Sequence, residues 1–234
     1  MIEEPPLISV KDRPADAPGE ARLALARRLG AHPTSVLCDA MEGRGALPPG
    51  IGPLAPGELP ERLAAPVLTV DCGPDDILAL ACALTEVRPG EALVIATGGW
   101  RGSAVFGDRV TGMARNNGCA GLVTDGLARD RPGLIAVGLP IFCAGLTPNS
   151  PFSKGPGRIG LPVALGGLRV ETGDVVVGDR DGAVIVPGAR AEAIADRADA
   201  VAELETALDA EVAAGRKAAD PILELMRSDK VRRV

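Results

Sequence analysis

Apolar and polar positions alternate along the chain with two periods, one typical of helices and the other typical of strands. An apolar stripe at helical spacing predicts an amphipathic helix from Glu20 to Leu29, which Gly30 ends, and a shorter helix near Thr34. From Pro66 onward, compact apolar runs alternate with helical segments, which is typical of a layered α/β domain. The pattern predicts strands at 66–70, 92–96, 121–124 and 139–143, helices at 77–86 and 106–116, a β-hairpin at 175–186, a long helix at 189–214 and a last short helix after Pro221.

The chain has the length and the uniform composition of one domain. Its 234 residues can bury one sizeable core, and no Ser- or Pro-rich linker separates two halves. Residues 1–15 are rich in Pro and charge, so we expect a disordered N-terminal extension. Residues 16–234 are expected to form a single α/β domain with a C-terminal helical extension. The segment 145–161 has four Gly, three Pro and no apolar period, which predicts a long loop.

The composition argues against several classes of protein. Charges interrupt every apolar run before the roughly 20 residues of a membrane span, and the first residues lack the order of a signal peptide. We therefore expect a cytoplasmic location and no membrane partner. The five cysteines are scattered, with no CxxC pair, which is typical of small buried residues in a reducing compartment. A net charge of -6, with three Phe, one Trp and no Tyr, disfavours a nucleic-acid partner.

The histidine content limits the possible chemistry. His32 is the only histidine, and it precedes Pro33 near the start of the chain. A His-based catalytic triad or a site with several His ligands is therefore nearly excluded. Any metal must be held by carboxylates and water, which favours hard cations such as Mg²⁺ or Mn²⁺.

Three charged residues have a spacing that indicates a site. Asp108 lies just inside a predicted helix, and Arg129-Asp130 follows the next predicted strand after twenty intervening residues. Open α/β sheets build their sites at such strand ends, so we expect the three side chains to lie together. Arg129 offers a planar cation for an oxyanion, and Asp130 offers a metal ligand. The backbone amides that are expected to cradle a substrate carboxylate belong to Gly102, Ser103, Ala104, Val105, Phe106 and Gly107.

Some of these residues also have a purely structural interpretation. Taken alone, an Arg-Asp pair after a strand is more often a solvated or loop-pinning ion pair than part of a site. Asp125-Gly126 is interpreted as a turn with Gly at positive φ rather than as a second acidic ligand. Lys154 is a candidate for an imine-forming lysine, but its Gly/Pro loop predicts exposure to solvent.

Four stretches of the sequence resemble the RraA-like superfamily, which includes class II pyruvate aldolases acting on 4-hydroxy-4-methyl-2-oxoglutarate. They are SVLCDA at 35–40, GLVTDGLARD at 121–130, the Gly166-Gly167 pair and GDVVVGDRDG at 173–182. The resemblance covers about residues 20–215. It implies a layered α/β/β/α fold with a mixed sheet, similar to the swivelling domains.

The resemblance implies a role for each candidate residue. Asp130 would bind Mg²⁺ or Mn²⁺ directly, and Asp108 would assist through water on the metal. Arg129 would bind the 2-oxo group, and the loop from Gly102 to Gly107 would hold the pyruvyl carboxylate. The implied partners are a small 2-oxo acid substrate and further copies of the chain, in a homotrimer or homohexamer.

A residue from a neighbouring subunit is also implied. Glu205, on the long C-terminal helix, would reach the metal waters of that neighbour's site. Glu203 and Glu211 lie on the same helix and compete for this assignment.

The implied reaction is cleavage of a 4-hydroxy-2-oxo acid between C3 and C4, which leaves negative charge on a pyruvate enolate. The metal and Arg129 would stabilise that enolate, and a water on the metal would act as the base. Oxaloacetate decarboxylation passes through the same enolate, so it is expected as a side activity.

The resemblance leaves two other functions open. One is a non-catalytic regulator that binds a ribonuclease; in that branch a non-acidic residue commonly follows the Arg, whereas this chain has Asp130. The other is an enzyme with the same metal site and a sugar-acid substrate. Five basic residues are candidates for contact with a distal substrate carboxylate, and the sequence does not distinguish between them: Arg101, Arg109, Arg131, Lys154 and Arg158.

Overall fold

The computed structural model of the protein describes residues 6–233. The strands are β1 (Ile8–Val10), β2 (Gly52–Pro53), β3 (Leu63–Asp71), β4 (Ala92–Ala96), β5 (Ala104–Phe106), β6 (Gly121–Thr124), β7 (Leu127–Ala128), β8 (Ile141–Cys143), β9 (Gly157–Ile159), β10 (Val163–Leu165), β11 (Leu168–Val170), β12 (Val175–Asp179) and β13 (Gly182–Val186). The α-helices are α1 (Glu20–Leu29), α2 (Thr34–Ala40), α3 (Leu78–Ala83), α4 (Asp108–Asn116), α5 (Arg131–Val137), α6 (Ala191–Ala213) and α7 (Asp220–Arg227), and a 3₁₀ turn at Gly188–Arg190 precedes α6.

Side chains that alternate along the strands divide the core into three apolar clusters. In β4, Leu93 and Ile95 join the cluster of α3, α4 and α5, whereas Val94 points to the opposite face. In β12, Val176 joins Val94 in the middle cluster, and Val175 joins the cluster of α1, α2 and α6. The layers are therefore helix, sheet, sheet and helix. The predicted α/β/β/α fold with a mixed sheet is confirmed.

The longest strand, β3, connects the two parts of the sheet. Its second half pairs in parallel with β4, and its first half pairs antiparallel with β12. The strand order is β1-β9-β3-β4-β6-β8-β2, with β12 paired to both β3 and β13. Strands β3, β4, β6 and β8 run parallel and are buried on both faces, which explains their continuous apolar sequences. The loops that follow β4 and β6 consequently leave the same edge of the sheet.

Elements with a strong local pattern have the predicted bounds, and elements that depend on distant partners differ. Helix α1 and strands β4 and β6 match their predictions. The helix predicted at 106–116 begins only at Asp108, because Ala104–Phe106 forms β5 instead. Strand β5 pairs with β7, a later segment of the chain, so its own sequence does not reveal it.

The disorder predicted for residues 1–15 does not hold where the segment is described. Ile8–Val10 pairs in parallel with Gly157–Ile159, which lies inside the predicted loop at 145–161. The guanidinium of Arg13 forms an ion pair with Glu91, and both side chains are nearly buried, with 8% and 3% exposed. Composition does not reveal contacts between segments so far apart in the sequence. Residues 1–5 lie outside the described residues.

The C-terminal helices continue beyond the core. Ile194 and Ala198 of α6 are buried against α1 and α2, whereas Leu204 is 73% exposed. Helix α7 also presents apolar side chains to the outside, among them Ile222 and Met226. A search of residues 6–233 finds no helix with the length and apolar character that crossing a membrane requires.

Candidate functional site

Two short parallel strands bring the predicted charged residues to one place. In the pairing of β5 with β7, Phe106 lies opposite Ala128, and the amide of Arg129 donates to the carbonyl of Phe106 at 3.0 Å. The chain continues from β5 into Gly107 and α4, and from β7 through Arg129 and Asp130 into α5. The carboxyl ends of the two strands therefore meet, as they do at the sites of other α/β proteins.

A cavity of about 350 Å³ lies at these strand ends. It brings together Asp108, Arg129 and Asp130, the three residues that the sequence predicted to be neighbours. The volume is at the lower end of the range for small-molecule sites, which suits a ligand of a few carbon atoms. No sequence pattern predicted several of the other lining residues, because they belong to separate loops. The full lining is Ile77, Phe106, Gly107, Asp108, Arg109, Val110, Arg129, Asp130 and Pro151.

Two glycines allow the carboxylates to approach the backbone closely. A Cβ on Gly107 would lie 2.3 Å from Oδ2 of Asp130, and a Cβ on Gly133 would lie 2.4 Å from Oδ2 of Asp108. Real Cβ atoms do not approach other atoms so closely, so a larger residue would displace the carboxylate. The φ of Gly107 is -137°, which any residue adopts, and Gly133 is helical. Space, and not backbone conformation, therefore favours glycine at both positions.

Asp130 has an unusual backbone and a carboxylate that is open to ligands. It occupies the N-cap position of α5 without a side-chain capping hydrogen bond, and its φ of 62° and ψ of 45° form a left-handed conformation that Asp tolerates better than most residues. Its Oδ2 lies 3.4 Å from Nε of Arg129, which is longer than the roughly 2.7–2.9 Å of a charge-assisted hydrogen bond. No hydrogen bond from residues 6–233 reaches this carboxylate, which is 46% exposed.

Two neighbouring acids are, by contrast, engaged by the backbone. Asp125 is buried and accepts hydrogen bonds from the amides of Thr97 and Gly99 at 2.7 and 2.9 Å, and from the Thr97 hydroxyl at 2.9 Å. Asp76 accepts from three amides, those of Leu78, Lys154 and Gly155. These two carboxylates hold loops together and have little capacity left for a ligand.

The glycine after Asp125 corrects one expectation. Gly126 does not have the predicted positive φ. A Cβ at this position would instead lie 2.8 Å from Cγ2 of Thr97. The close approach of the loop after β4 is therefore the reason for glycine here.

Only part of the predicted amide cradle lines the cavity. Phe106 and Gly107 line it, whereas residues 102–105 do not. The hydroxyl of Ser103 donates to Asp75, and the amide of Ala104 donates to the carbonyl of Asn149 at 3.0 Å. These groups fasten neighbouring loops to β5.

Backbone amides at the start of α4 are available to a ligand, unlike those of the rest of the predicted cradle. The amides of Gly107, Asp108 and Val110 have no hydrogen-bond partner in the described part of the chain. The amide of Arg109 donates to Oδ1 of Asp108 at 2.7 Å. Unpaired amides and the helix dipole both favour an anion at this position.

Arg129 is held in place and still has donors to spare. Its Nη1 donates to the hydroxyl of Ser150, and its Nε faces Asp130. A guanidinium carries five N–H donors, so others remain for a ligand in the cavity. Its side chain is 36% exposed.

The carboxylates around the cavity fit one class of cation. Within residues 6–233, no three His, Cys, Asp or Glu side chains are grouped so as to hold a metal ion. Asp108 and Asp130 nevertheless present oxygen donors to one cavity. Mg²⁺ is commonly bound by one or two carboxylates, with water and substrate supplying the other oxygens. The donor set therefore suits a hard divalent cation and does not suit a zinc site of His and Cys.

The cysteines offer no nucleophile near neutral pH in the buried core. Burial raises the pKa of the Cys72 thiol to about 12 and that of Cys119 to about 11. Burial also raises the pKa of Cys143. These thiols act as small apolar residues, as their scattered positions predicted.

Glu205 lies apart from this cavity within its own chain. It is exposed on the outer part of α6, as are Glu203 and Glu211. Its predicted contact is with a second subunit, so its role stays a prediction.

The chain is similar to proteins of one family. The RraA-like family, described as Aldolase/RraA, matches residues 34–185. A protein of Halalkalibacterium halodurans named "Putative 4-hydroxy-4-methyl-2-oxoglutarate aldolase" is 36% identical over 166 residues, which cover 71% of this chain and 78% of the relative. The matched segment 34–185 contains every residue that lines the cavity.

Two solved structures are similar over most of the chain. An uncharacterized protein from Pseudomonas syringae pv. tomato str. DC3000 has a TM-score of 0.74 and 28% identity, covering 89% of this chain and 96% of the other. Streptomyces coelicolor RraAS2, described as an unusual member of the RNase ES inhibitor RraA protein family, has a TM-score of 0.71 and 32% identity, covering 80% and 98%. The similarity thus includes a relative named for an enzyme and a relative named for inhibition.

Proposed function

Because the chain belongs to the RraA-like family, we propose that its cavity is the active site of a divalent-metal-dependent aldolase. The substrate would be a 4-hydroxy-2-oxo acid such as 4-hydroxy-4-methyl-2-oxoglutarate, which is cleaved to pyruvate and a second carbonyl compound. Oxaloacetate decarboxylation is proposed as a side activity, because it also forms the enolate of pyruvate.

One observation carries this proposal: the carboxylate of Asp130 at the cavity accepts no hydrogen bond from the described residues, while the acids beside the cavity are engaged. Asp125 and Asp76 each accept three hydrogen bonds from nearby loops. Asp130 accepts none within residues 6–233, although its backbone is in a conformation that costs free energy. A carboxylate that accepts no hydrogen bond and faces a cavity beside an arginine supports a role in ligand binding more than a role in holding the fold together.

The residues of the chain can perform distinct parts of the reaction. The amides at the start of α4 would bind the carboxylate of the 2-oxo acid, and Arg129 would bind the 2-oxo oxygen. The 4-hydroxyl loses its proton, the C3–C4 bond breaks, and its electron pair moves to C3 and the 2-oxo oxygen. Arg129 would then stabilise the negative charge on that oxygen. Protonation of C3 completes the pyruvate product.

The carboxylates divide the remaining work. Asp130, with Asp108 beside it, would hold Mg²⁺ or Mn²⁺, which supplies positive charge next to the 2-oxo group and lowers the pKa of bound water. Asp108 would assist removal of the 4-hydroxyl proton through a water molecule, because no histidine lines the cavity.

A regulator of a ribonuclease is the second candidate, favoured by the similarity to RraAS2. Such a function requires an outer surface and assigns no role to the carboxylates of the cavity. The two candidate functions therefore differ in whether a reaction takes place in the cavity.

The test is an assay of pyruvate release from a panel of 4-hydroxy-2-oxo acids and from oxaloacetate, with Mg²⁺, with Mn²⁺ and with EDTA. We expect release that depends on the metal and is abolished by EDTA. No release from any substrate with either metal would favour the regulator.

Replacement of Gly107 tests the space that the site needs. Gly107→Ala places a methyl group 2.3 Å from the position of Oδ2 of Asp130, so the carboxylate must move. We expect a weaker affinity for Mg²⁺ and a turnover lower by roughly tenfold or more. Gly112→Ala is the matched control, because its Cβ on the same helix meets only Cγ2 of Val137, at 3.8 Å. The control should keep its activity and gain about 0.5–1 kcal/mol of stability from the better helix former. Equal activities in the two variants would contradict the proposed position of Asp130.

Mixing two inactive variants tests whether Glu205 completes the active site of a neighbouring subunit. The structure of a single chain does not test this proposal. Asp130→Asn and Glu205→Gln proteins are expected to be nearly inactive alone. After subunit exchange in a closed three-fold ring, random assortment would restore about a quarter of the sites, given one heterologous interface per site. If native mass spectrometry shows mixed trimers without recovered turnover, Glu205 does not complete the site. An active Glu205→Gln protein would refute the assignment sooner, and Glu203 would be the next residue to test.

A further inference from the structure

A serine that does not line the cavity contacts the guanidinium of Arg129. Nη1 of Arg129 donates to the hydroxyl of Ser150, while its Nε faces Oδ2 of Asp130 at 3.4 Å. Ser150 is exposed and is absent from the lining of the cavity, so it has no place among the groups that would bind metal or substrate. The guanidinium therefore lies between a neutral acceptor and a charged one.

The charged acceptor is the stronger of the two. A carboxylate forms shorter and stronger hydrogen bonds with a guanidinium than a hydroxyl does, at about 2.7–2.9 Å when the pair is closed. The observed 3.4 Å from Nε of Arg129 to Oδ2 of Asp130 leaves that pair open. Both side chains are partly exposed, so packing alone does not prevent closure. The hydrogen bond to Ser150 is the contact that opposes it.

The backbone on both sides of Ser150 is fastened to neighbouring segments. Before it, the amide of Ala104 donates to the carbonyl of Asn149 at 3.0 Å. After it, the amide of Phe152 donates to the carbonyl of Asp75 at 2.8 Å. Ser150 consequently lies on a fixed stretch of the chain, and its short side chain can hold the long side chain of an arginine in one orientation.

An ion pair between Arg129 and Asp130 would compete with a metal ion for the same carboxylate. A cation binds Asp130 only in the fraction of molecules in which that pair is open, and its apparent affinity falls in proportion to this fraction. Closure would also direct the N–H donors of Arg129 to the carboxylate and away from a 2-oxo group in the cavity. A single hydrogen bond outside the cavity thus affects both ligands of the proposed site.

We propose that Ser150 is a positioning residue, which holds the guanidinium of Arg129 away from Asp130 and so keeps this carboxylate available to a divalent cation. The inference rests on the proposed function, because it takes Asp130 to be the metal ligand. Ser150 itself touches neither the metal nor the substrate. Its effect on metal binding passes entirely through Arg129, which distinguishes it from a metal ligand and from a residue that only stabilises the fold.

The affinity for Mn²⁺ in the absence of substrate measures this effect without any reaction. The electron paramagnetic resonance signal of free Mn²⁺ decreases on binding, so a titration gives the dissociation constant. Ser150→Ala removes the acceptor, and we expect an affinity weaker by about three- to tenfold, which corresponds to a fall of the open fraction from nearly complete to roughly 10–30%.

Two further variants serve as controls for this titration. Ser150→Thr retains the hydroxyl and should bind Mn²⁺ as the wild-type protein does. Ser153→Ala makes the same change as Ser150→Ala at an exposed position on the same segment that does not line the cavity, and it should also keep the wild-type affinity. Thermal unfolding of each variant checks that the fold is intact.

A double-mutant cycle with Arg129→Gln shows whether Ser150 acts through the arginine. Without the guanidinium no ion pair can close on Asp130, so adding Ser150→Ala to Arg129→Gln should change the Mn²⁺ affinity by less than about 1.5-fold. A serine that bound the cation itself, or that only shaped the backbone of the site, would lower the affinity equally with and without the arginine.

Three results would overturn the role of Ser150 and leave the proposed reaction standing. They are a wild-type affinity in Ser150→Ala, the same loss of affinity in Ser150→Thr as in Ser150→Ala, and an equal loss with and without the arginine. If Ser150→Ala does not fold, Ser150→Val replaces it, because Val has the shape of Thr and lacks the hydroxyl. The expected affinities without pyruvate release would support Ser150 and refute the reaction alone. A wild-type protein that neither binds Mn²⁺ nor releases pyruvate would refute the proposed function together with this inference.

Discussion

Asp130→Asn is expected to reduce metal-dependent pyruvate release by on the order of a thousandfold while the protein keeps its fold. The variant removes one negative charge from the cavity and preserves the size of the side chain. Asn also tolerates the left-handed backbone, here φ 62° and ψ 45°, whereas Ala would add strain of its own. A loss of activity in Asp130→Asn can therefore be attributed to the carboxylate.

The measurements are turnover against Mg²⁺ concentration and thermal unfolding of the same preparation. We expect a midpoint of unfolding close to that of the wild-type protein, because no described hydrogen bond depends on this carboxylate. Full activity in Asp130→Asn would show that Asp130 holds no catalytic metal. A collapse of the fold would show that the carboxylate is structural.

Arg129→Lys is expected to lower kcat by roughly ten- to a hundredfold, although the charge is retained. The guanidinium faces Asp130 with Nε and donates to Ser150 with Nη1. A single ammonium cannot keep both contacts and also donate to an oxyanion in the cavity. The change should appear mainly in kcat, because charge on the 2-oxo oxygen develops in the transition state.

The matched control for this variant is Arg131→Lys, two residues along the chain. Arg131 pairs with Glu58 on the surface, and exposed pairs contribute little. Unchanged activity is expected there. If kcat is the same in Arg129→Lys and in the wild-type protein, Arg129 does not stabilise the enolate.

The sequence predicted those parts of the fold whose pattern is complete within one segment. The buried run Ala92–Ala96 and the amphipathic segment Glu20–Leu29 contain their own signal, and both have the predicted bounds. Strands β1, β5 and β9 are each three residues long and exist through partners elsewhere in the chain. A helix was accordingly predicted to start at Phe106, and disorder was predicted over Ile8–Val10.

The same distinction applies to the site. The proximity of Asp108, Arg129 and Asp130 could be predicted because each follows or begins an element at the same end of the sheet. The open carboxylate of Asp130 and the engaged carboxylate of Asp125 could not be told apart, because the difference lies in amides of the loop after β4. Ile77 and Pro151 reach the cavity from loops whose paths depend on Asp76, so no local pattern identifies them.

The central claim is that a divalent cation at Asp130 and a 2-oxo acid at Arg129 occupy the cavity together. Proton magnetic relaxation tests this claim most directly. Mn²⁺ shortens the relaxation times of protons close to it, so the methyl protons of pyruvate report whether both ligands bind at one site. With the wild-type protein and Mn²⁺, we expect a strong enhancement of pyruvate relaxation that excess Mg²⁺ reverses. With Asp130→Asn, the enhancement should be lost. An equal enhancement in the two proteins would place the metal elsewhere and contradict the site.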